Sequence, residues 1–349
     1  MKKTKIVSED FLSIALIYCG TVFGAGFASG QEIVTFFSAY NLCGILVSVF
    51  AGFLFSFFGF KICSDSYKNG FTSAGEYFDF LFPKTISRIL SFVCISFLVV
   101  SFCIMITGCG TLFYNQFSVR PVVGSLLSLA ISYIIVKNRV SGLAWFNSMV
   151  TPFMFFGVLI LSVMCIIKGG EATEKLCIEN GGYSVFSGIL YLSYNLVSAV
   201  AVLVPSAKIA KSQKSAVLGG VLGGVLVSFP LVLMSLALTL FPAFKGAQMP
   251  FFDLVKSFYP DLSLLCGLIL YCAMLTTAAA SGVSAVAKVA PKYSKRVAFV
   301  LCLCAFLVSF IPFDTLVKSV YSAFGLCGIL LVYGIVTSFF RKNKIKLEK

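Results

Sequence analysis

The sequence predicts an all-α membrane protein with ten transmembrane helices, and two observations carry that prediction. Of the 349 residues, 59% are hydrophobic and 11% are charged, whereas about a quarter of the residues in soluble domains are charged. A hydrocarbon core about 30 Å thick needs about 20 apolar residues per helix. On that rule the apolar runs give ten spans, at 11–40, 42–63, 89–113, 121–137, 145–167, 184–204, 216–241, 262–286, 297–311 and 316–340.

The basic residues predict how the chain lies in the membrane. The net charge is +14, but the Lys and Arg residues are scattered through short loops, which favours membrane orientation over a nucleic-acid partner. With the N-terminus inside, 21 of the 27 Lys and Arg residues fall in the predicted inside segments. The positive-inside rule therefore predicts a multi-pass protein of the cell membrane with both termini in the cytoplasm.

The spacing of the spans predicts an internal repeat within a single transmembrane domain. Spans 1 and 6 begin near residues 11 and 184, and spans 3 and 8 begin near 89 and 262, so both pairs have the same offset. Each half, 11–167 and 184–340, holds five spans, so the two halves have opposite orientations. An inverted repeat of this kind typically places a substrate site at the repeat interface.

The first span contains four glycines, at positions 20, 24, 26 and 30, and each costs a helix roughly 0.8–1 kcal/mol relative to alanine. Small residues spaced in this way also pack helices closely. However, these glycines lie on more than one face, and the run of 11–40 is longer than a straight span needs. We therefore predict a break near 23–27. The amides of Ala28, Ser29 and Gly30 would face an anion, and the carbonyls from Gly20 to Phe23 would face a cation.

The repeat offset predicts a second break in span 6, near 196–200. The stretch 191–199 is the most polar part of the middle of a span in the second half, and Asn195 and Ser198 favour local bonds that compete with a helix. Tyr18, Tyr191 and Tyr194 are candidate pocket aromatics, although tyrosine is an equally good packing residue.

Glu32 is the only acidic residue placed within a span. An intramembrane carboxylate is costly and indicates a functional site, unless it lies near enough to the surface to meet water or a headgroup. A buried Glu32 could gate the site, pair with the amine of a substrate or carry a coupling proton.

Span 8 offers oxygen ligands for a hard cation. The hydroxyls of Thr276 and Thr277, with the carbonyl of Ala273, could complete a Na⁺ cage together with an opened span 1. The alternative is that these hydroxyls bond back to carbonyls one turn earlier.

Several classes of enzyme lack their usual residues in this chain. It contains no histidine, and none of its 13 cysteines forms a Cys-x-x-Cys pair, so catalytic zinc sites lack their ligands. No serine–histidine pairing and no glycine-rich phosphate loop with Lys-Ser/Thr is present. We therefore expect neither an enzyme nor a cofactor, other than Na⁺ as a coupling ion.

The stretch from Gly24 to Glu32, in a ten-span chain of this length, resembles the YkvI-type bacterial membrane proteins of the amino acid–polyamine–organocation superfamily. The resemblance implies the LeuT-type fold, in which spans 1 and 6 are unwound around the substrate. It implies that Phe23, Gly24, Ala25 and Gly26, together with 194–198, line the substrate site. It also implies a Na⁺ site formed by the residues Gly20, Phe23, Ala273, Thr276 and Thr277. Span 5 carries no lysine until its outer end, which favours Na⁺ over coupling through a lysine.

The sequence therefore predicts a secondary transporter of a small organic solute, such as an amino acid or related zwitterion, working by alternating access. Na⁺ is the preferred coupling ion and H⁺ through Glu32 the second choice. The alternatives are a ligand sensor that keeps the transporter fold without turnover and, third, a channel.

Overall fold

The computed structural model describes residues 2–138, 143–169, 181–287 and 290–347. Apart from short connections, these residues form helices. The helices are α1 (Lys2–Val22), α2 (Ala25–Ala28), α3 (Gln31–Phe36), α4 (Asn41–Asn69), α5 (Ala74–Leu81), α6 (Lys84–Phe117), α7 (Pro121–Lys137), α8 (Leu143–Ile167), α9 (Gly181–Ile209), α10 (Gln213–Leu240), α11 (Pro250–Phe258), α12 (Pro260–Ala287), α13 (Ser294–Val308), α14 (Phe313–Leu316) and α15 (Ser322–Leu347).

Seven stretches of the described chain are long and apolar enough to cross a membrane. They are Gln31–Asn69, Lys84–Phe117, Val150–Ile167, Gly181–Ile209, Gln213–Leu240, Pro260–Val286 and Phe313–Phe340. Shorter apolar helices cover Phe11–Val22 and Pro121–Lys137, and α13 has 15 residues. Each of the ten predicted spans overlaps one of these helices, and the prediction of an all-helical membrane protein is confirmed.

Close helix contacts hold the centre of the bundle together. α4 packs along α10, α1 packs against α10 and α9, α9 also contacts α4 and α15, and α6 packs along α12. At one crossing of α4 and α10, a Cβ added to either Gly59 or Gly220 would overlap the backbone carbonyl of the other residue. Small residues let helix backbones approach in this way, and the resulting packing stabilises helix pairs in lipid.

Two short helices mark the opposite faces of the bundle. α5 follows α4, and its first turn is capped by Ser73, whose hydroxyl accepts a hydrogen bond from the amide of Glu76. α11 follows α10 and lies on the other side of the bundle, where it contacts α8, α10 and α12. We call these two sides the α5 face and the α11 face.

The predicted break in span 1 is confirmed. α1 ends at Val22, Phe23 and Gly24 are not helical, and α2 begins at Ala25. The amide of Gly24 donates to the carbonyl of Val22 at 2.8 Å, which is a tight turn in place of a helical bond. A second irregularity follows at Gly30, whose φ of 83° lies in the left-handed region that favours glycine.

The predicted break in span 6 is wrong, because α9 runs as one unbroken helix from Gly181 to Ile209. The polar side chains that suggested a break bond backward along the helix instead. The side-chain amide of Asn195 donates to the carbonyl of Tyr191 at 2.9 Å, and the hydroxyl of Ser198 donates to the carbonyl of Asn195 at 2.8 Å. These bonds satisfy the polar groups without opening the backbone.

Candidate functional site

A buried carboxylate lies just beyond the break in span 1. Glu32 is in the first turn of α3 and is 3% exposed. Its Oε2 accepts a hydrogen bond of 2.6 Å from the hydroxyl of Tyr194 in the middle of α9. The two halves of the chain therefore meet at this pair.

Glycine at position 26 gives the carboxylate its space. A Cβ added there would overlap Oε1 of Glu32 as well as carbons of its side chain. The glycines of the broken span thus have two separate uses: Gly24 lies in the non-helical turn, and Gly26 allows the Glu32 side chain to lie against the backbone of α2.

Aromatic rings surround the Tyr194 side of the pair. The rings of Tyr194 and Tyr321 are stacked with centroids 4.9 Å apart, and Phe97 of α6 lies 6.1 Å from Tyr194 and 5.9 Å from Tyr321. Tyr321 ends a π-helical turn, Val317–Tyr321, that joins α14 to α15. Turns of this type are rare and occur frequently at functional sites.

A cavity of about 730 Å³ leads from the α5 face to this pair. Along α9 its wall includes residues from Tyr194 to Pro205, a distance of about 17 Å. At the α5 face it reaches Thr72–Gly75. The volume is in the range of small-molecule sites, and Glu32 is the only charged side chain on the described part of its wall.

The α11 face is closed over the same site. The amide of Phe251 in α11 donates to the carbonyl of Ser29 at 2.9 Å. The Nζ of Lys245 donates to the carbonyl of Ser38 at 2.6 Å and to Oδ1 of Asn41 at 3.0 Å. The segment before and within α11 is thereby attached to the C-terminal end of span 1.

A polar cluster attaches α11 to the end of α6 as well. The side-chain amide of Asn115 donates to both carboxylate oxygens of Asp253, at 3.0 and 3.3 Å, and Lys256 donates to the backbone carbonyl of Asn115. Burial raises the pKa of Asp253 to about 6, although Lys256 and the hydrogen bond from Asn115 act in the opposite direction. Burial also lowers the pKa of Lys245 from its ordinary value.

The structure brings some of the predicted site residues to the cavity and leaves others away from it. The described residues on the wall are Gly20, Gly24, Glu32, Tyr194, Asn195, Ser198 and Thr277. Those buried away from the wall are Phe23, Gly26, Ala28, Ser29, Gly30, Tyr191, Ala273 and Thr276. Ala25 belongs to α2, but its side chain lies outside the described residues.

Two of the three amides predicted to hold an anion donate within the chain. The amide of Ala28 donates to the carbonyl of Gly24 at 3.0 Å, and the amide of Gly30 donates to the carbonyl of Phe27 at 2.9 Å. Ser29 is likewise engaged, because its hydroxyl donates to the carbonyl of Gly26 and accepts from the amide of Gln31. The left-handed turn at Gly30 directs this segment toward α11 rather than toward the cavity.

Some of the predicted cation ligands line the cavity, and others bond within the chain. Gly20 and Thr277 both line the cavity, whereas the hydroxyl of Thr276 donates to the carbonyl of Ala273 at 3.0 Å. The described chain holds no cluster of three or more His, Cys, Asp or Glu residues that could bind a metal ion. Backbone carbonyls and hydroxyls are therefore the oxygen ligands that this region offers.

Sequence reasoning missed two of the aromatic residues at the site. Phe97 and Tyr321 lie in apolar runs of spans 3 and 10, where the neighbouring sequence does not distinguish a site residue from a packing residue. The clearest signal for Tyr321 is the π-helical turn before it, and that turn is visible only in the structure.

Comparison with solved structures agrees with this architecture. The chain is similar to a Na⁺-coupled sialic acid symporter (TM-score 0.63, 15% identity, 93% of this chain and 78% of that one). It is similar to Mhp1 in its inward-facing conformation (TM-score 0.65, 13% identity, 91% and 73%). It is also similar to MhsT in complex with L-phenylalanine (TM-score 0.62, 16% identity, 92% and 88%). The protein is thus a multi-pass membrane protein with the LeuT-type fold.

Sequence comparison adds two relatives from Bacillus subtilis (strain 168). The chain is a homologue of the uncharacterized membrane protein YkvI, with 27% identity over 323 residues that cover 91% of this chain and 93% of YkvI. The uncharacterized protein YyaD is 24% identical over 336 residues, which cover 93% of this chain and 97% of YyaD. No protein-family model matches the chain.

Proposed function

We propose that this protein is a secondary transporter that moves a small organic solute across the cell membrane by alternating access. The observation that carries the proposal is the cavity, which reaches Glu32 from one face while α11 closes the other face. A site reached from one side at a time is what alternating access requires. The solved structures with the same fold include a Na⁺-coupled symporter.

The solute is an amino acid or a related zwitterion whose amine pairs with Glu32. The buried carboxylate has Tyr194 as its hydrogen-bond donor but no basic side chain beside it on the described cavity wall. An ion buried in the bundle needs a charged partner to offset its desolvation. A substrate amine would supply that partner when it binds.

Na⁺ is the proposed coupling ion, with Gly20 and Thr277, which both line the cavity, contributing ligands. In the conformation described, the hydroxyl of Thr276 donates to the carbonyl of Ala273, so these two groups would have to reorient to bind the ion. Proton coupling through Glu32 is the second choice.

An inverted repeat of two five-span halves, 11–167 and 184–340, is the proposed architecture. It is supported by pairs of packed helices that recur when each helix is exchanged for its counterpart. α1 packs against α10 as α9 packs against α4, and α6 against α13 as α12 against α7. The α5 face, which carries the basic loops, is proposed to be cytoplasmic, with both termini on that side.

Reconstitution into proteoliposomes tests the proposal. Vesicles preloaded with a candidate amino acid should accumulate the labelled compound by exchange, and a Na⁺ gradient should drive net uptake. Binding to the purified protein without exchange in vesicles would contradict transport and favour a ligand sensor with a transporter fold. Single-channel currents in planar bilayers would instead identify a channel.

A further inference from the structure

We propose that this site selects its ligand by positive charge alone: the ligand is an amine with an apolar body, and a carboxylate on it is not required. The inference rests on the proposed binding of a solute in the cavity. It is narrower than the proposed function, because it names the one group of the solute that the protein recognises.

The first observation concerns the charged side chains on the cavity wall. Glu32 is the only charged side chain on the described wall, and neither Lys nor Arg is present there. One carboxylate oxygen, Oε2, accepts from Tyr194, while among the described residues Oε1 accepts no hydrogen bond. An ammonium group has three donors and would satisfy this oxygen while cancelling the buried charge. A ligand without a cationic group would leave it uncompensated.

The rings beside Glu32 favour the same ligand. Phe97, Tyr194 and Tyr321 all lie on the cavity wall, and each ring is within 6.1 Å of the other two. A cation is attracted to the face of an aromatic ring within about 6 Å of its centre. The carboxylate and the rings therefore stabilise positive charge at one end of the cavity.

Few donors for a carboxylate remain among the groups predicted to bind one. The amides of Ala28 and Gly30 donate to carbonyls within the chain. One N–H of the Asn195 side-chain amide and the hydroxyl of Ser198 also donate to carbonyls along α9. A carboxylate next to Glu32 would thus meet like charge, and of these four residues only Asn195 keeps a second N–H to offer it.

The rest of the cavity wall indicates that the part of the ligand attached to the amine is apolar. Between Tyr194 and the α5 face, the wall carries aliphatic side chains, such as Ile95, Leu98 and Val202, interspersed with hydroxyl groups. A hydrocarbon chain or ring attached to the amine would bury its surface there, at roughly 25 cal/mol per Å².

Three ligands that share a ring and a chain of similar length separate the possibilities. 2-Phenylethylamine carries only the amine, L-phenylalanine carries the amine and a carboxylate, and 3-phenylpropionate carries only the carboxylate. Thermal shift and calorimetry on the purified full-length protein at neutral pH measure their binding, with butylamine and butyrate as an aliphatic pair. We expect the amines to bind at least as tightly as L-phenylalanine and the acids not to bind.

Variants identify the groups responsible. Glu32→Gln should weaken binding of the amines by about tenfold or more, because a charged partner is lost. Tyr321→Leu should also weaken it, while Tyr321→Phe, which keeps the ring, should bind within a few-fold of wild type. Asp261→Asn, which removes an exposed carboxylate that is not on the described cavity wall, is the matched control. Gel filtration and the melting temperature without ligand check that each variant folds.

The proposal is overturned if L-phenylalanine binds at least about tenfold more tightly than 2-phenylethylamine, if either acid binds as tightly as its amine, or if Glu32→Gln binds the amines as wild type does. Failure of every amine to bind at millimolar concentration also overturns it. Transport is scored separately in vesicles. Amine binding without exchange would contradict the transporter function and leave charge selection intact. Exchange of a carboxylic acid would support the transporter function and contradict charge selection.

Discussion

The carboxylate of Glu32 occupies the space that a side chain on residue 26 would need, since a Cβ on Gly26 would overlap Oε1. The glycine is six residues before the acid, and the left-handed turn at Gly30 brings the two together. This relationship gives a direct test of whether the position of the carboxylate matters.

Gly26→Ala should displace the Glu32 side chain and weaken ligand binding, because the added methyl group has no other space. Gly157→Ala is the matched control, since a Cβ at that position meets no atom within 4 Å and the residue is not on the described cavity wall. Titration calorimetry with an amine or amino acid ligand compares the two. Equal affinities for both variants would show that the carboxylate has no fixed role in binding.

Tyr194→Phe should lower the free energy of unfolding by about 1–3 kcal/mol, because the buried carboxylate loses its hydrogen-bond donor. Tyr191→Phe provides the comparison. Its hydroxyl is equally buried but has no hydrogen-bond partner among the described residues, so its removal should be neutral or slightly stabilising. Melting temperatures in detergent report both, and a similar loss in the two variants would contradict the importance of the Tyr194–Glu32 bond.

Asp253 should make the stability of the protein depend on pH. The pKa of this group is raised in the folded chain from 3.8 to about 6, so between these values the folded state binds more protons than the unfolded state. The contribution of Asp253 to stability is therefore present at low pH and is lost as the pH rises toward 6.

The measurement is the melting temperature from about pH 4 to pH 7. Relative to Asp253→Asn, the wild-type protein should become less stable across this range and then change no further. Asp261→Asn removes an exposed carboxylate at the start of α12 and should leave the wild-type profile unchanged. A profile for Asp253→Asn that is parallel to that of wild type would disprove the assignment.

Thr277→Ala should abolish Na⁺-dependent uptake in proteoliposomes if this hydroxyl is a ligand of the coupling ion. Ser284→Ala, about two turns further along the same face of α12, should retain it. Native protein that transports equally with and without Na⁺ would contradict sodium coupling and leave Glu32 as the candidate for proton coupling.

Local chemistry made the broken first span predictable. Its glycines weaken the helix wherever it lies, and Glu32 is conspicuous because charge is rare within a span. The break in span 6 could not be judged in this way. Whether Asn195 and Ser198 open a helix or bond along it depends on the neighbouring helices, and here α9 stays continuous.

The residues around Glu32 could be predicted even less well, because tertiary structure decides which side chains meet there. Phe97, Tyr194 and Tyr321 come from three separate spans, and nothing in their local sequence indicates that their rings meet. The amides of Ala28 and Gly30 illustrate the opposite case. The sequence suggested they were free, but the fold of residues 24–30 gives each of them a carbonyl.

The π-helical turn Val317–Tyr321 determines which side of the last long helix faces the site. Such a turn holds one more residue than a regular turn, and one residue corresponds to a rotation of about 100° around the helix axis. Deleting a single residue from it would rotate Tyr321 out of the cavity and bring a different column of α15 side chains against α9. The side chains before and after this turn are therefore rotated relative to each other around the helix axis, and the change occurs next to Tyr321.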